Sequence, residues 1–301
     1  MPIIGHHKIR ERLKKLAATN KISQSYLFWG PESVGKSLCA EEFAFQLVSQ
    51  PDFEPSVDKP HPFDICIVRP ETETKRDVTK QKNISAETMR DALIFLSRFP
   101  ANGKFRVLIV EEAHKLSQTA QNVLLKTLED PNATSVIILI THEIGSIIPT
   151  ILSRVEKVRF NYVPAEEITS DANFVSSKKQ KQDLSPFFFS LGRPGMIFRA
   201  ESNPEIFTEE RKKLEKLFKL SSLGLYERLQ LADELSKNVP KCIRLLEWWM
   251  PGLHNQAVKR DNVQYTTRFF EFLERAEKTL VLMKTTQSNT RLLLEKLFLS
   301  V

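Results

Sequence analysis

Cysteine is scarce in this sequence, with three among 301 residues. Cys39, Cys66 and Cys242 lie far apart, and no CxxC pair is present. This spacing argues against a disulfide framework and against a four-cysteine zinc site. We expect three reduced and mostly buried thiols, because free cysteine is among the most buried residue types.

Long apolar runs are also missing. No segment approaches the ~18 to 20 uninterrupted apolar residues that a membrane-spanning helix needs. The N-terminal segment lacks the apolar core of a secretion signal, since it reads MPIIGHHKIRERLKKL. We therefore expect a cytoplasmic protein with no membrane partner.

Acidic residues do not predominate, because 44 lysines and arginines face 37 aspartates and glutamates, which gives a net charge of +7. This excess suits a protein that works close to nucleic acid, where basic side chains neutralise phosphates. It is also common among proteins that never touch DNA, so it decides little by itself. The length and the hydrophobic content of 41% predict two or three soluble domains with buried cores.

Short apolar segments alternate with amphipathic ones over the first ~160 residues, which is typical of a parallel sheet with flanking helices. The predicted strands are Tyr26–Trp29, Phe63–Val68, Val107–Val110, Ser135–Ile140 and Val155–Phe160. The polar segment 69–83 is predicted to be an exposed loop. From about Pro204 onward only helical patterns occur. The sequence predicts an α/β domain over 1–162, a small helical domain over 163–203 and a helical bundle over 204–301.

The sharpest motif is GPESVGKS, which matches G-x-x-x-x-G-K-[ST] from Gly30 to Ser37. Glycines such as Gly30 and Gly35 let backbone N–H groups point at phosphate oxygens, and the following helix adds its N-terminal partial charge. Lys36 is predicted to reach the terminal phosphates, and the Ser37 hydroxyl to contact Mg²⁺. A strand precedes the motif and a helix follows it, as a P-loop requires. The alternative is a chance glycine turn.

A P-loop needs a second strand that presents acids to the metal and to the attacking water. The candidate is VLIV followed by Glu111 and Glu112. We expect Glu111 on the metal side, where Asp is usual, and its extra methylene displaces the carboxylate by roughly an ångström. Glu112 is expected to polarise the water. The alternative is that both acids are merely solvated at a strand end.

At this point the sequence resembles a known family, the AAA+ clamp-loader subunits of bacterial DNA polymerase III, closest to delta-prime with gamma/tau next. The resemblance is carried by GKFRVLIVEEAHKLSQTAQNVLLKTLEDPNATSVIILITHEIGSIIPTILSRVEKVRF, and by QSYLFWGPESVGKS, HPFDICIVRPE and NTRLLLEKLFL. It implies a P-loop AAA+ core, a helical lid over 163–203 and an all-α collar over 204–301. The large apolar residues of the collar (Trp248, Trp249, Phe269, Phe270 and Phe272) are expected to be mostly core.

The resemblance also implies a role for Arg154. Ser153-Arg154 matches the family's Ser-Arg-Cys motif, whose arginine projects into the ATP site of a neighbouring subunit. A guanidinium supplied in trans offsets the charge that develops on the transferred phosphoryl group. Val155 replaces the cysteine of that motif. The alternative for Arg154 is an ordinary surface salt bridge.

Other positions depart from the hydrolysing subunits. His142 stands where those subunits carry a polar sensor, and Gly195 stands where gamma-type subunits carry a sensor arginine. Arg193 and Arg199 lie nearby, and neither is assigned that role. The family's zinc module is replaced by SQPDFEPSVDKPH. We expect binding of ATP or ADP with Mg²⁺, no zinc, and weak or absent hydrolysis.

The implied partners are gamma/tau and delta-type subunits in a hetero-pentamer, the sliding clamp, and primed DNA contacted through its backbone. The expected role is within a DNA-directed DNA polymerase holoenzyme in the bacterial cytoplasm, near the nucleoid during replication. Candidate DNA contacts are Lys80, Lys82, Arg90 and Arg98, unless they only form a solvated face. Two alternative functions stay open: a gamma/tau-like ATP-hydrolysing motor, and another AAA+ ATPase of DNA recombination or repair.

Overall fold

The computed structural model describes residues 3–19, 21–48, 63–75, 78–101, 104–164, 167–168, 192–196, 204–258, 263–286 and 288–300. These residues divide into two compact units. The first contains the described residues up to 168 together with Gly192–Gly195, and the second contains those from Met196 onward. Most of the lid predicted over 163–203 lies outside the described residues, so its boundaries stay a prediction.

The first unit alternates strands and helices. Its strands are β1 (Ser25–Trp29), β2 (Ile65–Val68), β3 (Thr72–Lys75), β4 (Val78–Gln81), β5 (Arg106–Val110), β6 (Ser135–Thr141) and β7 (Glu156–Arg159). Its α-helices are α1 (His7–Thr19), α2 (Lys36–Leu47), α3 (Ala86–Ser97), α4 (Gln118–Glu129) and α5 (Pro149–Leu152). Short 3₁₀ helices cover Ala113–Lys115 and Ile144–Ser146.

Five parallel strands form the main sheet in the order β2–β5–β6–β1–β7. Every residue of β5 and of β6 is buried, because helices cover both faces of the sheet. All five strands that the sequence predicts are present, with ends shifted by one or two residues. The predicted α/β core with a parallel sheet is confirmed.

The prediction of an exposed loop over 69–83 is wrong in one respect. β3 and β4 pair as an antiparallel hairpin within that segment. Their sequences, TETK and VTKQ, place Thr72, Thr74, Val78 and Thr79 among polar residues. Threonine and valine favour extended backbone because their branched β-carbons fit a pleated strand. Polarity alone therefore mispredicted this segment.

The sheet separates two apolar clusters. Alternate residues of β6 contribute to opposite clusters, with Val136, Ile138 and Ile140 in one and Ile137 and Leu139 in the other. The first cluster includes residues of α1 and α2, and the second includes residues of α3 and α4. The sheet edge at which the parallel strands end is thereby fixed between two packed helical layers.

The second unit is helical throughout its described residues. Its helices are α6 (Pro204–Phe218), α7 (Leu225–Ser236), α8 (Val239–Val258), α9 (Val263–Thr285) and α10 (Thr290–Phe298), with a 3₁₀ turn at Leu220–Ser222. Trp248, Trp249 and Phe272 are buried in its core, whereas Phe270 is 42% exposed. The predicted C-terminal all-α region is confirmed. No helix in the described part of the chain has the length and apolar character needed to cross a bilayer.

Candidate nucleotide site

The predicted P-loop joins β1 to α2 at the carboxyl edge of the sheet. Gly30 has φ +141°, and a side chain there would place its β-carbon 2.1 Å from the carbonyl oxygen of Phe160. Gly35 has φ +101° and gives α2 no side-chain cap. The N–H groups that begin α2 can therefore bind an anion.

Lys36 points back onto its own loop. Its Nζ donates to the carbonyl oxygens of Gly30 at 2.9 Å and of Pro31 at 2.5 Å. Burial lowers the pKa of Lys36 to about 8; the carboxylate of Glu32 acts to raise that pKa and the charge of Arg193 to lower it. The buried ammonium thus has two weak neutral acceptors, which phosphate oxygens would replace with stronger, charged ones.

Two further contacts fix the middle of the loop. The Nε2 atom of His6 lies 3.0 Å from the carbonyl oxygen of Val34, and burial lowers the pKa of His6. Ser33 has a positive φ of +62°, which is uncommon for a residue with a side chain. Its carbonyl oxygen accepts a hydrogen bond of 2.8 Å from the backbone N–H of Gly195. The segment around Gly195 therefore packs directly on the P-loop.

That segment leaves no room for a side chain at Gly195. A β-carbon there would lie 2.7 Å from the carbonyl oxygen of Ser33. Arg193 is buried, and its Nη2 donates to the hydroxyl of Tyr162 at 3.2 Å while its guanidinium carbon lies 5.3 Å from the centre of the Tyr162 ring. Arg199 lies outside the described residues. Position 195 is closed to the side chain that a sensor would require.

The two predicted acids follow β5, one strand beyond β6 from the P-loop strand β1. The carboxylate of Glu111 accepts two hydrogen bonds from Arg69, from Nε at 3.0 Å and from Nη2 at 3.1 Å. Glu41 of α2 lies 3.6 Å from the same guanidinium. Glu112 has a positive φ of +49° and begins the 3₁₀ turn at Ala113. The turn after β5 therefore begins with a residue in the left-handed region, directly after Glu111.

His142 follows β6 at the same edge. Its ring centre lies 4.0 Å from that of His114, in an edge-to-face arrangement. The Nδ1 atom of His114 is 3.4 Å from the hydroxyl of Thr141. Burial first, and then the neighbouring His142, lower the pKa of His114 to about 4, against the opposing effect of Glu143 and Glu32. Position 142, where the sequence predicts a sensor, is therefore occupied by one member of a histidine pair.

Arg154 lies at the opposite edge of the sheet. Its backbone carbonyl accepts a hydrogen bond of 2.8 Å from the hydroxyl of Ser25, the first residue of β1. Its guanidinium forms an ion pair of 2.8 Å with Glu129 and donates to the carbonyl oxygen of Thr150 at 2.9 Å. The P-loop begins after Trp29, four residues along β1 and so roughly 13 Å away.

The predicted DNA-contacting residues are partly described. Lys82, Arg90 and Arg98 are exposed on and around α3. The side chain of Lys80 lies outside the described residues. Nothing in the described contacts distinguishes these three cations from a solvated face, so their role stays a prediction.

Three residues of the site escaped the sequence analysis. Arg69 directly follows β2, and Glu111 directly follows β5, which is the neighbouring strand in the sheet. A cation and an acid at the ends of two neighbouring parallel strands could have indicated the Arg69–Glu111 ion pair. His114 lies three residues after Glu111, in the segment EEAH. Glu41 gave no signal, since a carboxylate inside a helix is usually solvated.

The residues present fit a nucleotide in part. Lys36 and the open N-terminus of α2 suit phosphates, and Ser37 is the hydroxyl that would contact Mg²⁺. Glu111 fits the metal less well, because both its carboxylate oxygens already accept hydrogen bonds from a cation. Among the described residues, no group of three or more His, Cys, Asp or Glu side chains could hold a metal ion by itself.

Solved structures with a similar fold come from Thermotoga maritima. One is a DNA polymerase III gamma subunit-related protein, 18% identical, covering 95% of this chain and 97% of its own, with a TM-score of 0.46. Another is the RuvB Holliday junction branch migration motor, 16% identical, covering 84% and 88% of the two chains, with a TM-score of 0.48.

Curated relatives are more informative. DNA polymerase III subunit tau of Bacillus subtilis is 29% identical over 183 residues, 60% of this chain and 32% of the relative. DNA polymerase III subunit delta' of Pseudomonas aeruginosa is 31% identical over 143 residues, 44% of this chain and 41% of the relative. The chain thus spans about a third to two fifths of the length of these relatives.

The model of the DNA polymerase III delta subunit family matches residues 5–164. That range is more than half of the chain, and it includes the P-loop, both strand-end acids, His142 and Arg154. This chain therefore belongs to the DNA polymerase III delta subunit family of clamp-loader proteins.

Proposed function

We propose that this chain is a delta-prime-like subunit of the replicative clamp loader, which binds ATP or ADP with Mg²⁺ but hydrolyses it weakly or not at all. The observation that carries this proposal is the contact between Gly195 and Ser33. A sensor arginine needs a side chain at position 195, and the P-loop carbonyl already fills that space. Gamma/tau-like motor activity is the alternative, and the retained Lys36 and Glu112 keep it open.

The second part of the proposal is that Arg154 acts on a neighbouring subunit's ATP site. What supports it is the position of Arg154 at the amino-terminal edge of β1, while the P-loop of the same chain lies at the carboxyl edge. That separation of roughly 13 Å exceeds the reach of an arginine side chain toward its own site. The ion pair with Glu129 would have to open first, and exposed pairs of this kind contribute only about 0–1 kcal/mol.

The third part concerns the sliding clamp. Phe63 and Phe99 are each 83% exposed, and both adjoin one buried ion pair of the first unit. Arg106 donates to the carbonyl oxygen of Phe99 at 2.9 Å and lies 3.4 Å from the carboxylate of Asp64, the residue after Phe63. Exposed aromatic rings suit insertion into an apolar pocket of a partner. Primed DNA would be contacted through backbone phosphates, for which Lys82, Arg90 and Arg98 are the candidates.

Such a subunit would work in the bacterial cytoplasm as one of five chains, with gamma/tau and delta-type neighbours. The testing experiment measures ATP turnover by the isolated chain and by the assembled complex. We expect negligible turnover by the chain alone, and a large loss in the complex with Arg154→Ala. The matched control is Glu129→Gln, which frees Arg154 without removing it and is expected to preserve turnover. Rapid turnover by the chain alone, abolished by Lys36→Ala, would instead identify a motor subunit.

A further inference from the structure

We propose that Arg69 is a positioning residue that keeps Glu111 out of magnesium coordination. This chain would then bind nucleotide without using the carboxylate that follows β5 as a metal ligand. The proposal rests on the proposed function, because it presumes that the P-loop binds nucleotide. The inference concerns Arg69 and Glu111, however, whereas nucleotide binding depends on the P-loop, so the inference and the proposed function can be tested separately.

The geometry of the pair is the first argument. Arg69 binds Glu111 through two nearly parallel hydrogen bonds, 3.0 Å from Nε to Oε2 and 3.1 Å from Nη2 to Oε1. This fork-to-fork arrangement is the strongest form of arginine–carboxylate contact. It uses both oxygens of the carboxylate, so a metal ion would have to share each oxygen with a guanidinium N–H, and the positive charge of Arg69 opposes a cation there.

The sheet itself aligns the two partners. Arg69 follows β2, Glu111 follows β5, and the two strands are hydrogen-bonded neighbours. The backbone N–H of Glu111 donates to the carbonyl oxygen of Val68 at 2.9 Å. Both residues therefore leave adjacent strands at the same level, and their side chains meet with little loss of backbone freedom. An aspartate at position 111 would be one methylene shorter and would reach Arg69 less well.

The charges around the pair are the second argument. Glu41, on the helix that begins with Lys36, lies 3.6 Å from Arg69. Burial raises the pKa of Glu41, and the charge of Glu111 raises it further, against the opposing effect of Arg69. One cation thus offsets two carboxylates. A dication at this place would meet the guanidinium at short range and be repelled by it, although water around the 56% exposed Arg69 side chain screens part of that repulsion.

The experiment titrates the full chain with ATP, once with MgCl₂ and once with EDTA, and compares the ratio of the two affinities among variants. Lys36→Ala reports on the P-loop. Glu111→Gln tests whether the Glu111 carboxylate contributes to magnesium binding. Arg69→Ala tests whether the carboxylate binds magnesium once its arginine partner is removed. Arg12→Ala is the matched control, since Arg12 forms an exposed ion pair with Glu156 at 2.7 Å. Arg69→Met, which keeps the aliphatic stem, replaces the alanine variant if thermal melting shows that the latter is unfolded.

We expect Glu111→Gln to leave the magnesium dependence within about twofold of the unmutated chain. Arg69→Ala should raise that dependence at least about threefold, and adding Glu111→Gln to Arg69→Ala should remove the gain. A loss of about tenfold with Glu111→Gln alone, the size expected for a working metal site, would overturn the inference. Equal behaviour of Arg69→Ala and Arg12→Ala would overturn it too. If Lys36→Ala bound ATP normally, the proposed function would fail first and this inference with it.

Discussion

The backbone N–H of Gly195 donates a 2.8 Å hydrogen bond to the carbonyl oxygen of Ser33, in the middle of the P-loop. The contact joins two segments that lie more than 150 residues apart in the sequence. The contact requires glycine at position 195, because a residue without a β-carbon allows the two backbones to approach so closely. The absence of a side chain at position 195 and the conformation of the P-loop are therefore one feature of this chain.

We predict that Gly195→Ala weakens both folding and nucleotide binding. The added methyl group would lie 2.7 Å from a backbone oxygen, so Ser33 must move, and we expect a loss of about 1–3 kcal/mol in unfolding free energy. Gly145→Ala is the control, because a methyl group at that position meets nothing within 4 Å. Urea unfolding and ATP titration measure the two effects. Equal stability of the two variants would contradict the prediction.

Nucleotide affinity should fall at alkaline pH. The pKa of Lys36 is lowered to about 8 by burial, so its ammonium is charged at pH 7 and largely neutral at pH 9. A bound phosphate favours the charged form, so binding above pH 8 must take up a proton, and the affinity for ADP should drop by about fivefold from pH 8 to pH 9. Calorimetry in buffers of different ionisation enthalpy counts that proton. Constant affinity from pH 7 to pH 9 would show that Lys36 remains charged.

Acid should destabilise the first unit through His114. Its folded-state pKa of about 4 lies below the ordinary 6.5, so the unfolded chain takes up a proton in this range and the folded chain does not. The free energy of unfolding is therefore unaffected by protonation of His114 above pH 6.5, and it decreases as the pH falls from 6.5 toward 4, because protons bind to the unfolded chain. The full difference amounts to about 3 kcal/mol, and partial exposure of the ring reduces our expectation to about 1–2 kcal/mol.

His114→Asn tests that prediction by urea unfolding at pH 7 and pH 4.5. The variant should lose less stability than the unmutated chain over this interval. His7→Asn is the control, since His7 is an exposed histidine of α1. An identical pH dependence for all three proteins would mean that the histidine pair does not resist protonation.

Replacing both Phe63 and Phe99 with serine should separate clamp docking from folding. Each ring is 83% exposed, so the unfolding free energy should change by no more than about 0.5 kcal/mol. Association of the assembled complex with the sliding clamp, followed by surface plasmon resonance, should weaken by about tenfold or more. Tyr226→Ser is the control, a 76% exposed aromatic residue in the second unit. An unchanged affinity would remove these rings from the clamp interface.

The fold was largely predictable because its signals are local. Four or five consecutive apolar residues indicate a strand covered on both faces, and β5 and β6 follow that rule without exception. The P-loop was predictable for the same reason, since its glycines and Lys36 are close in sequence. The hairpin of β3 and β4 was missed because its threonines are polar in composition while favouring extended backbone.

The interactions that modify the site were not predictable, because each depends on residues far apart in the chain. The partner of Glu111 is 42 residues away, and that of Arg154 is 25 residues away. Gly195 could be recognised as a missing arginine, but its hydrogen bond to Ser33 has no trace in the sequence. These contacts were not predictable because their partners are far apart in the sequence, although the interactions themselves are ordinary ion pairs and hydrogen bonds.

The length of strand β6 fixes how far His142 extends toward the candidate nucleotide site. Its interior residues are apolar toward both faces, so a shift by one residue would exchange one buried aliphatic side chain for another and change burial little. Its polar ends do respond, because Ser135 bonds the carbonyl oxygen of Asn132 and the hydroxyl of Thr141 accepts from the N–H of Glu143. A single deletion within the strand would therefore be tolerated by the core while drawing His142 roughly 3.3 Å back from the nucleotide edge. Such a deletion would yield a folded protein with a displaced His142, so the register of β6 would affect the candidate nucleotide site more than it affects stability.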